Sequence, residues 1–599
     1  MENIHISRIE ALRRRMAAEG IDAVIIPQAD PHMSEYIAAR WQARRWFSGF
    51  TGSAGDLVVT LSDALLWTDS RYFIQAAEQL AGSGITLMKD GLASTPSIPE
   101  YLLAHPGKNR TVALDAMLFS INAVDALTDA LAAEGISLRT DFDAAEGLWT
   151  DRPGLPDAPL FIHKEEYAGE SAAAKLEAMR REAREARADA ILFSALDEVA
   201  WLLNIRSSDV RYNPVAIGYL YVDAAPGGRA RVFVSPAKLT PEVEKYLASQ
   251  GVDVSPYDTL PDFLARLPET SRVMVEAART SGAVRDILGA RAILAAKSPA
   301  AMPKACKNEI QLEGVRRAMI RDGVAMCRSL MEIEDRMAAG ILTTEIDVDS
   351  ILRRHRSLSP AFFEESFGTI AGYGPHGAIV HYEANEKSNA VLEPRGLLLI
   401  DSGAQYPDAT TDLTRTICLG TPTPQERRDF TLVMKGHIAL ARMIFPDDTR
   451  GAQLDAIARQ FLWREGLSYL HGTGHGVGQF LCCHEGPQSI RLNYVDTPLR
   501  PGMIISNEPG LYREGVHGIR CENLVLCTPA MTTEFGRFLR FETLTLCPFE
   551  PALFDTAIMT DDEIDWLNRY QARVRELLTP ELDHATAAWL AEKTKPLSR

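Results

Sequence analysis

The stretch 396–417 places acids where a buried strand has no ordinary use for them. Leu397, Leu398, Leu399 and Ile400 form a continuous apolar run, the pattern of a strand buried on both faces. The run ends in Asp401. Further on, Asp412, Thr414 and Thr416 alternate with Leu413, Arg415 and Ile417 at strand period. Tyr406, Pro407 and Asp408 lie between, and proline's fixed φ suits the first corner of a turn. Folding about the Tyr406–Pro407 bond sets Asp401 opposite Asp412. Like charges facing each other in a sheet are destabilising, and a divalent cation between them is the simplest compensation. The construction recurs. Met503 to Asn507 leads to Glu508, and Gly518 to Cys521 leads to Glu522. Glu508 and Glu522 are equidistant from Gly515, so a hairpin turning there pairs them. Between the two hairpins, 471–478 reads His-Gly-Thr-Gly-His-Gly-Val-Gly and contains His475. Four carboxylates and one imidazole suffice for two metal ions that share bridging ligands.

A chain of 599 residues is too long for one core and calls for two to four domains. Its net charge of −17 disfavours nucleic acid and anionic membrane as partners. No apolar run reaches membrane-spanning length. Residues 1–8 pass straight into a charged helical pattern without the apolar core of a signal peptide. All 8 cysteines fall between Cys306 and Cys547, which is unlike a disulfide framework and points to reduced thiols and a cytoplasmic setting.

Residues 1–305 hold a weak internal repeat. Glu10 to Arg14 precede Asp22 to Ile26 at the same spacing at which Glu177 to Arg181 precede Asp189 to Phe193. Each half reads as an amphipathic helix followed by a buried strand, the opening of an α/β unit. We expect related α/β domains at 1–160 and 161–305, joined through the Pro- and Gly-containing stretch 150–159. Gly52-Ser53-Ala54-Gly55 lacks the G-x-S-x-G spacing of a nucleophile and reads as a turn. A third, α+β domain spans 306–547, with its acidic site on the concave side of a curved sheet. Helices are expected from Asn308 to about Met337, from the Thr423-Pro424-Gln425-Glu426 start signal, and over 452–465 with Gly466 as its cap. The tail, 548–599, holds a helix opened by the capping box Thr560 to Glu563. Its apolar stripe, Ile564, Leu567, Tyr570, Val574 and Leu577, packs on the third domain or at a subunit interface.

Oxygen-rich ligation with a single imidazole suits Mn²⁺ and tolerates Co²⁺ or Zn²⁺. No cysteine sits at a ligand spacing. Two ions roughly 3.5–4 Å apart lower the pKa of a shared water and polarise a carbonyl, both of which serve hydrolysis. The plain alternative, acids satisfied by ion pairs, has only Arg415 and Arg520 nearby to draw on. His471 and His475 have i, i+4 spacing, but Gly472 and Gly474 between them argue against a helical zinc motif. His381 and His484, taken alone, read as structural histidines. Cys482 and Cys483 read as core packing.

These segments resemble a known family. Residues 374–382, 401–415, 471–478, 507–510 and 518–523 resemble the pita-bread metallopeptidases. Residues 34–37, 48–55, 67–73 and 567–568 extend the likeness to three-domain, cytosolic-type Xaa-Pro aminopeptidases. The resemblance implies two creatinase-like α/β domains followed by a pita-bread catalytic domain. It implies that Asp401 binds one metal, that Asp412 and Glu522 bridge both, and that His475 and Glu508 complete the other. Glu508 would also assist proton transfer. His381, His471 and His484 would surround the substrate and donate to its carbonyl. The implied reaction releases the residue that precedes an N-terminal-side proline, with two Mn²⁺ per homodimer subunit. A prolidase restricted to Xaa-Pro dipeptides and an inactive binding module on the same fold are the competing readings. His376, Cys482 and Cys483 depart from the family's pattern, and none of them is expected to touch a ligand.

Overall fold

The computed structural model of the chain describes residues 3–599; Met1 and Glu2, where the N-terminal segment begins, lie outside them. The chain divides into two compact units, one running to Glu165 and from Glu170 to Ala301, the other comprising Glu166–Gly169 and Met302–Arg599.

The first unit contains two six-stranded sheets. Each begins with the expected helix and strand, Ile4–Glu19 before Ala23–Ile26 and Ala172–Glu185 before Ala190–Phe193. With the strands of each sheet numbered in chain order, both run 4-3-2-1-5-6. In both, the pairs 1–2 and 2–3 are antiparallel and the pairs 3–4, 1–5 and 5–6 are parallel. The repeat seen in the sequence is therefore a repeat of topology. Both first strands are buried along their length, which is why each reads as an unbroken apolar run. Ser53 bonds the Tyr72 hydroxyl at 2.7 Å within an irregular stretch, as a turn residue does.

The second unit is built on the helix Glu309–Ala338, whose capping box pairs Asn308 with Gln311. The helix Pro424–Ala441 starts at the Thr423–Glu426 box and Gly451–Trp463 follows it. The tail helix Asp561–Leu578 opens on the Thr560–Glu563 box. Its Ile564, Leu567, Tyr570 and Val574 are buried in one cluster with Phe430, Leu524 and Leu544, and Leu577 packs against it. The stripe thus serves this unit's own core. A second tail helix, His584–Lys593, was not foreseen.

Two sheets carry the acids. In one, Ile370–Tyr373, Leu397–Ser402 and Leu413–Cys418 lie side by side; in the other, Ile504–Asn507 pairs with Asn523–Thr533. The first hairpin corrects the expected register. Its turn falls after Pro407, with Tyr406 opposite Ala409, so Asp401 pairs with Thr414 and not with Asp412. Asp408 holds the turn there, gripping Arg321 through both carboxylate oxygens at 2.9 and 3.2 Å. The second hairpin keeps the expected register. Asn507 faces Asn523 and Gly510 faces Arg520, which leaves Glu508 and Glu522 opposite each other about Gly515, a residue with φ of 73°.

Candidate metal centre

Five predicted donors converge despite the shifted hairpin. Asp401, Asp412 and Glu522 each place a carboxylate oxygen within 4.8 Å of the others, and His475, Glu508 and Glu522 form a second such group. Asp412 reaches the centre from the break between two short ladders, where the neighbouring Gly403 has no room for a side chain: a Cβ there would stand 2.0 Å from the Thr411 carbonyl. Gly474 is similarly constrained by the Ser506 carbonyl at 2.0 Å. That contact brings the short strand Gly474–His475 against Ile504–Asn507, so the glycines set backbone approach and exclude the helical motif. His471 lies at the edge, its Nδ1 4.0 Å from Glu508. His484 stands closer than expected, its ring edge-on to His475 at 4.4 Å and within the same 4.8 Å grouping as Asp412 and His475. His381 is half-buried on the segment after the turn Gly374–Ala378, outside these groups.

The electrostatics call for cations. Arg520 donates to Asp401 Oδ2 at 2.6 and 3.2 Å, and Thr414 donates to Glu522 at 2.6 Å. Asp401 Oδ1 is buried without a donor. The ring of His475 sets its Nδ1 3.0 Å from the Gly476 carbonyl, so Nδ1 carries a proton. The Nε2 of the neutral ring then presents a lone pair to Asp412 at 3.4 Å and Glu508 at 3.5 Å. Three lone-pair-bearing groups face one another there, and a metal ion or a proton must separate them. Without metal, protons do so. Burial, with help from Asp412, pushes the Asp401 carboxyl up to about 6 against the pull of Arg520. Burial and the neighbouring acids push Glu522 well up, and burial raises Glu508. Burial opposes charge on His475, but its bond to Asp412 and the proximity of Glu508 prevail and raise it to about 9. Burial opposes charge on Asp412 too, but the bond to His475, the proximity of His475 and His484 and the Cys483 thiol bond together prevail and lower it. Arg415, the other candidate counter-charge, touches none of these carboxylates; it donates to the carbonyls of Pro548, Thr414, Glu522 and Cys547 and is a structural strut.

Three neighbours were not read as site residues. Tyr512 joins Arg520, which donates to its hydroxyl at 2.8 Å, to His471 Nε2, also at 2.8 Å. His437, fully buried and pushed by burial to about 3, donates from Nδ1 toward the Asn507 and Cys521 carbonyls and ties the two strands behind Glu508 and Glu522. Cys483 corrects an expectation: its thiol donates to Asp412 Oδ2 at 3.2 Å, so this departure does touch a proposed ligand. Nothing in residue spacing distinguishes Cys483 from a core cysteine.

Fold and site together define a hydrolytic metallopeptidase. Residues 313–529 match metallopeptidase family M24 and 537–597 match the C-terminal region of that family, while 8–144 and 151–311 each match the creatinase/prolidase N-terminal domain. The chain is 39% identical over 627 residues to aminopeptidase P2 of Arabidopsis thaliana, covering 98% of this chain and 88% of that one. It is 36% identical over 618 residues to Xaa-Pro aminopeptidase 1 of Dictyostelium discoideum, covering 100% and 97%. The crystal structure of X-prolyl aminopeptidase from Caenorhabditis elegans, described as a cytosolic enzyme with a di-nuclear active site, superposes with a TM-score of 0.95 at 33% identity, over 99% of this chain and 100% of that one. The chain belongs to the Xaa-Pro aminopeptidases of metallopeptidase family M24. Its architecture is accordingly that of creatinase-type N-terminal domains followed by a pita-bread catalytic domain.

Proposed function

We propose that this enzyme removes the N-terminal residue of peptides whose second residue is proline, using two divalent ions held by Asp401, Asp412, His475, Glu508 and Glu522. The observation that carries the reading is the convergence of these five donors, Asp401, Asp412 and Glu522 buried and His475 and Glu508 half-buried, with Asp401 Oδ1 left without a hydrogen bond. When bound, the ions supply Lewis-acid activation of water and of the scissile carbonyl. The protein's own groups do the rest. Asp412 and Glu522 hold the two positions together, and Arg520 and Thr414 fix Asp401 and Glu522. Glu508, raised by burial, takes and returns a proton. His381 and His484 face the substrate and donate to the developing oxyanion, while His471, with Nδ1 on the Gly472 carbonyl at 2.7 Å and Nε2 on the Tyr512 hydroxyl, lines the substrate side. The Tyr512 bond keeps His471 oriented.

The oxygen-rich donor set favours Mn²⁺ over softer ions. A cytoplasmic homodimer is assigned from the family resemblance; among the described residues no helix is long and apolar enough to cross a membrane. We assign 1–160 and 161–305 as the two related domains, 306–547 as the catalytic domain and 548–599 as its helical extension. After Mn²⁺ reconstitution, an Xaa-Pro-Xaa tripeptide is expected to be cut at the bond before proline. Cleavage of Xaa-Pro dipeptides alone would make the protein a prolidase and overturn the assignment.

A further inference from the structure

Glu345, the first residue of the helix Glu345–Arg356, has no solvent-exposed surface. Its carboxylate accepts from the Tyr373 N–H at 2.8 Å and the Ala390 N–H at 2.8 Å. It also accepts from the Tyr382 hydroxyl at 2.7 Å and from His376 Nδ1 at 2.8 Å. All four donors belong to the segment 373–390. Its start, its end and its middle are therefore tied to one buried oxygen pair. The His376 ring, partly exposed, stacks on Tyr382 with centroids 4.5 Å apart. His381 is the residue next to Tyr382, in a stretch with no strand or helix of its own to hold it. The segment and the strand that leads into it meet the metal centre's scaffold. In that strand Ile370 pairs with Asp401, and within the segment the Gly377 carbonyl would lie 1.6 Å from a Cβ on Gly518, two residues before Arg520.

A fully buried carboxylate is costly unless its acceptors are filled. Here the filling is what shapes the loop. We propose that Glu345 is a positioning residue for His381, and that His376 completes its donor set from the solvent side. The inference rests on the reading of His381 as a substrate-facing donor. It accounts for His376, the departure from the family pattern that the proposed mechanism leaves without a role.

The test is a double-mutant cycle on the Mn²⁺-loaded enzyme with Glu345→Gln, His381→Ala and the combination. Glutamine keeps the shape but turns an NH₂ toward one of the backbone N–H groups, donor against donor. Glu345→Gln should lower kcat by about tenfold or more while KM moves by less than about threefold, with metal content near that of the parent. Because Glu345 acts through His381, the combined variant should be no more than about twofold slower than His381→Ala alone. Losses that multiply would overturn the proposal, as would a Glu345→Gln protein that binds less metal. An inert His381→Ala would instead sink the assignment of the histidine. Should Glu345→Gln not fold, His376→Asn, which keeps an N–H donor, is expected to stay within about twofold of the parent, and His376→Leu to lose about threefold or more. Equal activity of the two refutes the role of His376 and of the acid it serves.

Discussion

Loading the centre with metal must expel protons, and their number can be counted. At pH 7 the metal-free His475, raised to about 9, carries its second proton almost completely. That proton sits on Nε2, between Asp412 and Glu508, in the position proposed for a metal ion. Its loss contributes one proton. Glu522, well above its ordinary value, adds whatever fraction it still holds. At pH 6 Asp401, at about 6, is half protonated and adds about half a proton more. The sign follows directly. Metal ligands must be deprotonated, so each released proton weakens overall metal binding about tenfold for every unit the pH falls. Between pH 7 and pH 6 the overall constant for the pair of ions should drop by more than about tenfold. Titration calorimetry of Mn²⁺ into chelator-treated protein, repeated in buffers of different ionisation enthalpy, reads the count. We expect more than one proton at pH 7 and a larger number at pH 6. Heats that do not depend on the buffer would refute the electrostatic account of the site, and with it the claim that protons occupy the metal positions when the ions are absent.

Other outcomes follow from single contacts. Asp412→Ala removes the acid proposed to bridge both positions and should cut activity by more than about 100-fold, with bound metal falling from near two per chain; retained turnover in metal-replete buffer would contradict the ligand assignment. Arg520→Met leaves Asp401 buried without its partner and should cost the metal-free protein about 3 kcal/mol in denaturant unfolding, with much of that recovered when Mn²⁺ is added. Cys483→Val deletes the donor on Asp412 and is expected to weaken metal binding by about tenfold, while Cys483→Ser, which keeps an O–H donor, should stay near the parent; identical metal titrations for the two would show the thiol to be packing alone.

Local sequence determined a great deal here. Capping boxes at Asn308, Thr423 and Thr560 fix helix starts through bonds made within a few residues, so they can be read without a fold. The acids at 401, 412, 508 and 522 stood out because burying such groups in apolar strands has few physical justifications. The second hairpin's register was legible because its centre is a glycine at positive φ. The first was not, because its turn is set by Arg321, a residue on a distant helix that grips Asp408. The same holds for whatever depends on long-range approach. Cys483 became a donor to Asp412, Arg415 became a strut under the sheet instead of a counter-charge, and Glu345 gathered a loop around itself. Spacing reports only on neighbours along the chain. Which charge faces which, and which buried oxygen is left without a donor, depends on packing between segments 28 to 119 residues apart, and only the tertiary structure decides it.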